Sequence, residues 1–318
     1  MTLQAIDVVV LSLDRLRDTH ECIDSVLAQD HPQVRLWVLD QGSEQATVAS
    51  LRQRALADGF CIAEVGRIGV AAGRNRGYRM GQAPVIVALD NDAVLSDAGV
   101  LTRVEQRFAS DPKLGALAFA VHDYNLGGPD AGSWGYPWPI ASHFDQEFLA
   151  ARFCGAGHAV SRAAFEASQG YDEQLFFFGE ELDLSWALIS LGYEIRYVPE
   201  IAVRHKSSQE QRISWAGGRY YYNVRNMLYL HRKYWNDPWM LVEYAFGYLL
   251  KGLGNGFTRE TIKGLKDGLL MQYHGEASPK LSAAAREYIL AHEYAPRGSA
   301  WRRFRHEVVL RLSHKRSP

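Results

Sequence analysis

Through residues 1–121, apolar runs of strand length alternate with stretches whose apolar positions recur at helical spacing. Residues 6–13 are apolar and β-branched almost throughout, as in a strand buried on both faces. Residues 18–29 turn helical, with Ile23, Val26 and Leu27 on one face. Asp18 is placed to cap that helix, and Glu21 three residues on completes a capping-box-like pair. Residues 34–39 predict a second strand, and the helix after it ends near Ala57 with Gly59 as its stop. A short strand over 61–65, a Gly/Ala/Arg loop with a short helix over 66–81, and a strand over 85–89 come next. A helix over 97–109 and a strand over 115–121 complete the series. This order predicts an α/β, Rossmann-like fold: a mostly parallel sheet with helices on both faces.

Residues 122–150 break the pattern. They are rich in Gly, Pro and aromatic residues, and too long for a plain connection, which marks a functional loop. Residues 153–161 read as a strand, 180–191 as a helix stopped by Gly192, and 193–198 as a strand closed by Pro199. From Ser214 onward the pattern is helical and rich in Tyr, Arg and Lys, so a helical C-terminal extension is expected. The expected division is 1–235, with a nucleotide-binding half to 121 and an acceptor half from 122, followed by 236–318.

Composition narrows the class. Of 318 residues 47% are hydrophobic and 22% charged, as in a globular protein with a sizeable core. Lys plus Arg (35) balance Asp plus Glu (36), which argues against a nucleic-acid partner. Cys22, Cys61 and Cys154 are scattered, so neither a disulfide framework nor a zinc cluster is signalled; a cytoplasmic setting fits. The first residues have no basic segment of the kind that opens a signal peptide. No stretch reaches the roughly 18 apolar residues of a membrane span; the nearest, 239–250, carries Glu243.

Ligands of such sheets bind beyond the carboxyl ends of the strands. Three polar clusters fall there: Ser12 to Arg15, Asp40 to Ser43, and Asp90-Asn91-Asp92. Residues i and i+2 of a strand share a side, so Asp90 and Asp92 can converge on a hard cation, Mg²⁺ or Mn²⁺, that neutralises a diphosphate. An ordinary Asp-Asn turn explains the same tripeptide. Glu180, Glu181 and Asp183 open a helix, where acids favour the dipole, but three exceed what that needs. An aromatic approach through Phe176 to Phe178 suits a carboxylate of raised pKa, a general base. His205 is a metal-ligand candidate or a structural histidine. Gly69, Gly73 and Gly77 with Arg74, Asn75 and Arg76 between them miss the dinucleotide fingerprint, yet suit a phosphate near a helix N-terminus. Trp134, Tyr136 and Trp138 either face a sugar acceptor or pack their own loop. The Tyr220-Tyr221-Tyr222, Arg225, 232–235, 301–305 and 314–316 segments either lie on an anionic membrane or cap the core.

Taken in order, residues 8–12, 38–43, 69–77, 88–92 and 178–184 resemble glycosyltransferase family 2, the inverting transferases of GT-A fold, over roughly residues 5–235. Within that family it resembles bacterial rhamnosyltransferase-like and polysaccharide-biosynthesis members. The resemblance implies transfer of a sugar from a UDP- or dTDP-sugar to a saccharide, lipid-linked or small-molecule hydroxyl. It implies that Asp40, bordered by Ser12, Asp14 and Arg15, contacts the nucleobase. It further implies that Asp92, with Asp90 and His205, meets Mg²⁺ or Mn²⁺. The same resemblance implies that Gly69, Arg74, Asn75, Asp90 and Asn91 line the donor and that Glu181 is the base. Three positions depart from the family's pattern. Asp14 and Arg67 stand where Asn is usual, and Glu181 where Asp is usual, which leaves Glu180 and Asp183 as substitutes. A sugar-nucleotide pyrophosphorylase would open with a Gly-rich loop in place of residues 12–15. A non-catalytic binding protein would not need the acid at 181.

Overall fold

Every residue of β1 (Ile6–Ser12) is buried. It lies parallel between β2 (Val34–Asp40) and β4 (Val85–Asp90), and β3 (Cys61–Glu64) extends the parallel set beyond β2. The register brings the carboxyl ends level: Ser12 lies opposite Asp40, and Leu11 opposite Asp90. Alternation along β1 sends its side chains to two helix layers. Ile6, Val8 and Val10 join one core with Cys22, Ile23 and Val26 of α1 (Leu16–Leu27) and with Val100, Leu101 and Val104 of α4 (Val100–Ser110). Leu51 and Ala55 of α2 (Gln45–Asp58) belong to the same core. The opposite face receives α3 (Val70–Met80) so closely that a Cβ on Gly77 would stand 2.5 Å from Val9 and 2.9 Å from Leu39. Gly73 and Gly77 are therefore contact points inside a helix, not turns of a phosphate loop. Gly69 alone has the left-handed backbone (φ 92°) at the N-cap.

The computed structural model describes residues 4–206, 216–273 and 280–298. Two compact units emerge: residues 1–176 with 180–207, and residues 177–179 with 208–318. The first holds a nine-stranded sheet of order β3-β2-β1-β4-β8-β6-β9-β5, with β7 also on β9. Beyond β4 the sheet is mixed. β8 (Gly157–Ser161) runs antiparallel to β4 and to β6 (Leu114–Asp123), and β9 (Glu194–His205) runs parallel to β6. β5 (Ala93–Leu95) and β7 (Phe148–Ala150) pair antiparallel with β9.

Two local expectations fail. Pro199 does not close its strand: β9 continues to His205 through an irregularity that skips from Val198 to Ala202 opposite Phe119 and Ala120. A bulge of this kind accommodates a residue without an amide hydrogen. Asp18 does not cap α1; Arg15 stands at that N-cap with φ 51°, and Asp18 accepts from Arg15 Nε at 2.7 Å. Glu21 likewise turns to Lys206 and to the Tyr124 hydroxyl. The stops at Gly59 (φ 76°) and Gly192 (φ 88°) are where glycine was expected to place them.

At the amino end of the sheet, fully buried Asp7 accepts from Arg162 Nη2 (2.8 Å), the Ala83 amide (2.7 Å) and Trp37 Nε1 (3.1 Å). Nearby, buried His158 shares hydrogen bonds of 2.9 and 3.0 Å with the hydroxyls of Tyr78 and Tyr171, and its ring stacks on Phe153. Burial, and then the Arg74 charge, hold the His158 pKa well below its usual value.

The second unit is helical: α8 (Ala216–Tyr234), α9 (Pro238–Asn255), α10 (Thr258–Leu270) and α11 (Ala283–Ile289). α8 and α10 approach at Gly264 and Gly268, where a Cβ would meet Val224 at 3.0 Å and the Arg225 carbonyl at 2.5 Å. The basic aromatic stretch expected to be a membrane or capping helix is the inner helix of this unit. Tyr234 and Trp235 are buried, and Arg232 donates to the Gly268 and Met271 carbonyls. The 301–305 and 314–316 segments lie outside the described residues.

The depressed His158 pKa fixes the sign of one pH effect. The unfolded imidazole takes up a proton below pH 6.5 and the folded one does not, so this site's contribution is full above pH 6.5 and falls as pH drops. His158→Gln removes that uptake. In urea unfolding, the stability gap between wild type and variant is expected to narrow by about 1 kcal/mol between pH 6.5 and 5.5, the slope steepening toward about 1.4 kcal/mol per pH unit at lower pH. A constant gap contradicts it.

Candidate functional site

Helix α3 brings Arg74 beneath the strand ends. Its side chain is 2% exposed, and a buried guanidinium needs anions around it. Nη1 donates to Glu181 Oε1 (2.8 Å), while Nη2 donates to Asp90 Oδ1 and the Gly155 carbonyl (3.0 Å each). One cation thus ties the end of β4 to the start of α7 (Glu180–Ser190). The three acids of that helix part company here. Glu181 remains open to solvent, with its side chain 20% exposed. Glu180 is buried; desolvation, then the adjacent Glu181 charge, push its pKa well above the usual range. Asp183 is buried and accepts from the Asp172 amide at 3.2 Å. Asn75 clamps the main chain, donating to the Tyr171 carbonyl and accepting from the Tyr171 amide (2.8 Å each), and also donates to Glu173 Oε1 (2.9 Å).

Asp40 ends β2 almost fully buried. Its Oδ2 accepts from the amides of Gly42 (2.8 Å) and Ser43 (3.0 Å), and its Oδ1 has no hydrogen-bond partner. A buried carboxylate oxygen without a partner is costly unless a ligand donor completes it. Beside it, Asp14 and Arg15 both take the left-handed backbone (φ 51°), an unfavourable conformation for side chains of this type. The kink is held from both sides. The Asp14 amide donates to Ser43 Oγ (2.7 Å), and Asp14 Oδ1 accepts from the Glu44 amide (2.9 Å). Asn91 turns inward, donating to Thr19 Oγ1 (2.8 Å) and the Asp14 carbonyl (3.3 Å). Ser12 is buried against Thr19.

The kink aims Arg15 at Asp92: Nη1 donates to Oδ2 at 2.5 Å, and Nη2 to the Lys206 carbonyl at 3.0 Å. Strand β5, which starts one residue after Asp92, puts Ala93 opposite His205. His205 Nε2 is thereby 3.5 Å from Asp92 Oδ1, and its Nδ1 is 2.9 Å from Asp130 Oδ2. Burial works to lower the His205 pKa, but the bonds to Asp130 and Asp92 outweigh it and raise the value to about 9. Asp130 was not singled out in the sequence. It follows Gly127-Gly128-Pro129 in the long loop, where an acid has no local signature.

The aromatic loop packs largely on itself. Trp134 lies against Tyr136, Phe148 and Tyr197, and donates Nε1–H to the Trp138 carbonyl (2.7 Å). Tyr136 is buried, and Trp138 stacks on His143. The two indoles remain half-buried.

Asp90, Asp92 and His205 offer hard oxygen and imidazole donors, and Asp130 backs the histidine as a carboxylate backs a metal-bound imidazole. Among the described residues no three His, Cys, Asp or Glu side chains already converge as a complete cage. A few protein donors, with water and phosphate oxygens filling the rest, is how Mg²⁺-type sites beside nucleotides are built. The donor set fits such a cation.

No curated protein matches this sequence. Among solved structures, the chain is similar to a mannosyltransferase, PcManGT, from Pyrobaculum calidifontis in complex with GDP-Man and Mn²⁺. The TM-score is 0.59 at 16% identity, covering 100% of this chain and 89% of that one. It is also similar to S. aureus TarS in complex with UDP-GlcNAc, with a TM-score of 0.55 at 12% identity, covering 98% and 83%. At these identities the likeness is one of fold. Residues 4–217, more than half of the chain, match the family described as glycosyltransferase like family 2. Five motifs in family order, strand ends held level and a family match over that length together make this chain a member of glycosyltransferase family 2, and a glycosyltransferase.

Proposed function

We propose that the chain transfers a sugar from a UDP- or dTDP-sugar to an acceptor hydroxyl with inversion, aided by Mg²⁺ or Mn²⁺. The observation that carries this reading is the Arg74 junction, which holds the open carboxylate of Glu181 beside the Asp90 end of the donor row. The solved neighbours, bound to GDP-Man with Mn²⁺ and to UDP-GlcNAc, support a nucleotide-sugar donor and a divalent cation.

The partnerless Asp40 oxygen is suited to accept the N3–H of uracil or thymine, which adenine lacks. Asp92, with Asp90 and His205, would hold the cation, which supplies positive charge to the leaving diphosphate. Arg74 occupies Glu181 Oε1, so Oε2 is left to take the acceptor proton. The freed oxygen bonds to the anomeric carbon as the bond from that carbon to the diphosphate breaks on the opposite face. Glu180 and Asp183 are unsuited to that step: one is buried where an acceptor hydroxyl does not reach it, and the other holds a backbone amide. The half-buried indoles of Trp134 and Trp138 support an acceptor surface there. A cytoplasmic location, with a saccharide or lipid-linked acceptor, completes the reading.

Glu181→Gln keeps the shape and the Arg74 contact but cannot take a proton. It is expected to lower kcat by about 10²–10⁴-fold while leaving donor Kd nearly unchanged, measured by nucleoside-diphosphate release and calorimetry. Glu180→Gln keeps the shape of a side chain buried away from the acceptor and is expected to stay within about threefold of wild-type kcat. Equal losses in the two variants would remove Glu181 from the role.

Asp40→Asn replaces the accepting oxygen pair with a group that also donates. Weakening of nucleotide binding by about ten- to a hundredfold is expected. Wild-type affinity in that variant contradicts the base contact.

A further inference from the structure

The second unit leaves its apolar surface in stripes, not scattered. On α9, Trp239, Val242, Phe246 and Leu253 are 80%, 59%, 56% and 54% exposed, at spacings that put them on one helix face. At 1.5 Å per residue this stripe runs about 21 Å. On α10, Ile262, Leu269 and Leu270 are exposed together with Arg259, Lys263 and Lys266. At 100° per residue those six side chains fall within an arc of about 120°. Neither acid of α10 is fully exposed, and Asp267 accepts from the Tyr221 hydroxyl at 2.7 Å. Apolar residues exposed singly need no explanation; a continuous stripe with an aromatic residue at its head does.

We propose that the outer faces of α9 and α10 dock on an anionic lipid surface. The α9 stripe enters the boundary between headgroups and acyl chains, and Arg259, Lys263 and Lys266 meet lipid phosphates. Charge decides the occupant. α10 presents three cations and no exposed acid, against one exposed acid, Glu243, beside the α9 stripe, so the combined surface stays positive and complements an anionic bilayer. A second copy of this chain would bring the same three cations to the shared face, and like charges repel. The helices lie on the bilayer: among the described residues none is long and apolar enough to cross it. The contact rests on α9 and α10, since Tyr234 and Trp235 of the basic aromatic segment are buried.

The test is flotation of the full chain with phosphatidylcholine vesicles, with and without phosphatidylglycerol, at low and high salt. Wild type is expected to float with anionic vesicles at low salt and to be released by high salt or neutral lipid. Val242→Ser with Phe246→Ser is expected to weaken binding about tenfold or more, with circular dichroism unchanged because both positions are exposed. Lys263→Glu with Lys266→Glu is expected to remove the preference for anionic lipid. Quenching by bromine-labelled lipid that is lost in Trp239→Phe places the stripe in the bilayer without relying on the double variants. Absence of flotation at low salt, or flotation of both double variants like wild type, overturns the proposal. A dimer by light scattering that Val242→Ser with Phe246→Ser dissolves, without flotation, overturns it in favour of a second copy. The outcome is independent of which sugar the site transfers.

Discussion

A guanidinium almost wholly removed from water organises the site. Arg74 is stable there only because Asp90 and Glu181 stand within hydrogen-bond reach, and removing one partner of such a pair costs about 3–5 kcal/mol. The dependence runs both ways. Asp90 ends a strand and Glu181 begins a helix 91 positions later in the sequence, and Arg74 is what fixes one against the other. Glu180 lies 3.8 Å from the same nitrogen, and burial followed by the Glu181 charge pushes its pKa up, which disfavours a further negative charge at the junction.

A second constraint shapes the other side of the site. The irregularity at Pro199 lets β9 run on to His205, and β5 turns back from Asp92 to pair with it. Without that added length, Asp92 and His205 would have no reason to meet. The Asp130–His205–Asp92 line follows from it, and the Asp14–Arg15 kink, held separately by Ser43 and Glu44, brings Arg15 to the same Asp92.

This explains what was legible in the chain beforehand. The parallel strands and their polar ends could be read because a twice-buried strand writes a continuous apolar run that stops where the core stops. The glycine stops could be read because their backbone requirement is local. Strand β9 was cut short because Pro199 is a strong local signal that a bulge overrides. Strand β5 is three residues long and has no pattern of its own. Asp130 was invisible because its partner is 75 positions away. Arg74, Asn75 and Gly77 looked like one basic glycine loop. Helical geometry gives them three separate jobs: a buried counter-ion, a main-chain clamp and a sheet contact.

The central claim is that the strand ends form one nucleoside-diphosphate site that works with a divalent cation. Calorimetric titration of the full chain with UDP, dTDP, GDP and ADP, each with and without Mn²⁺, tests it most directly. The account predicts that a uracil or thymine diphosphate binds tightly only when Mn²⁺ is present, and that ADP does not bind. Failure of all four to bind, or equal binding without metal, would contradict it.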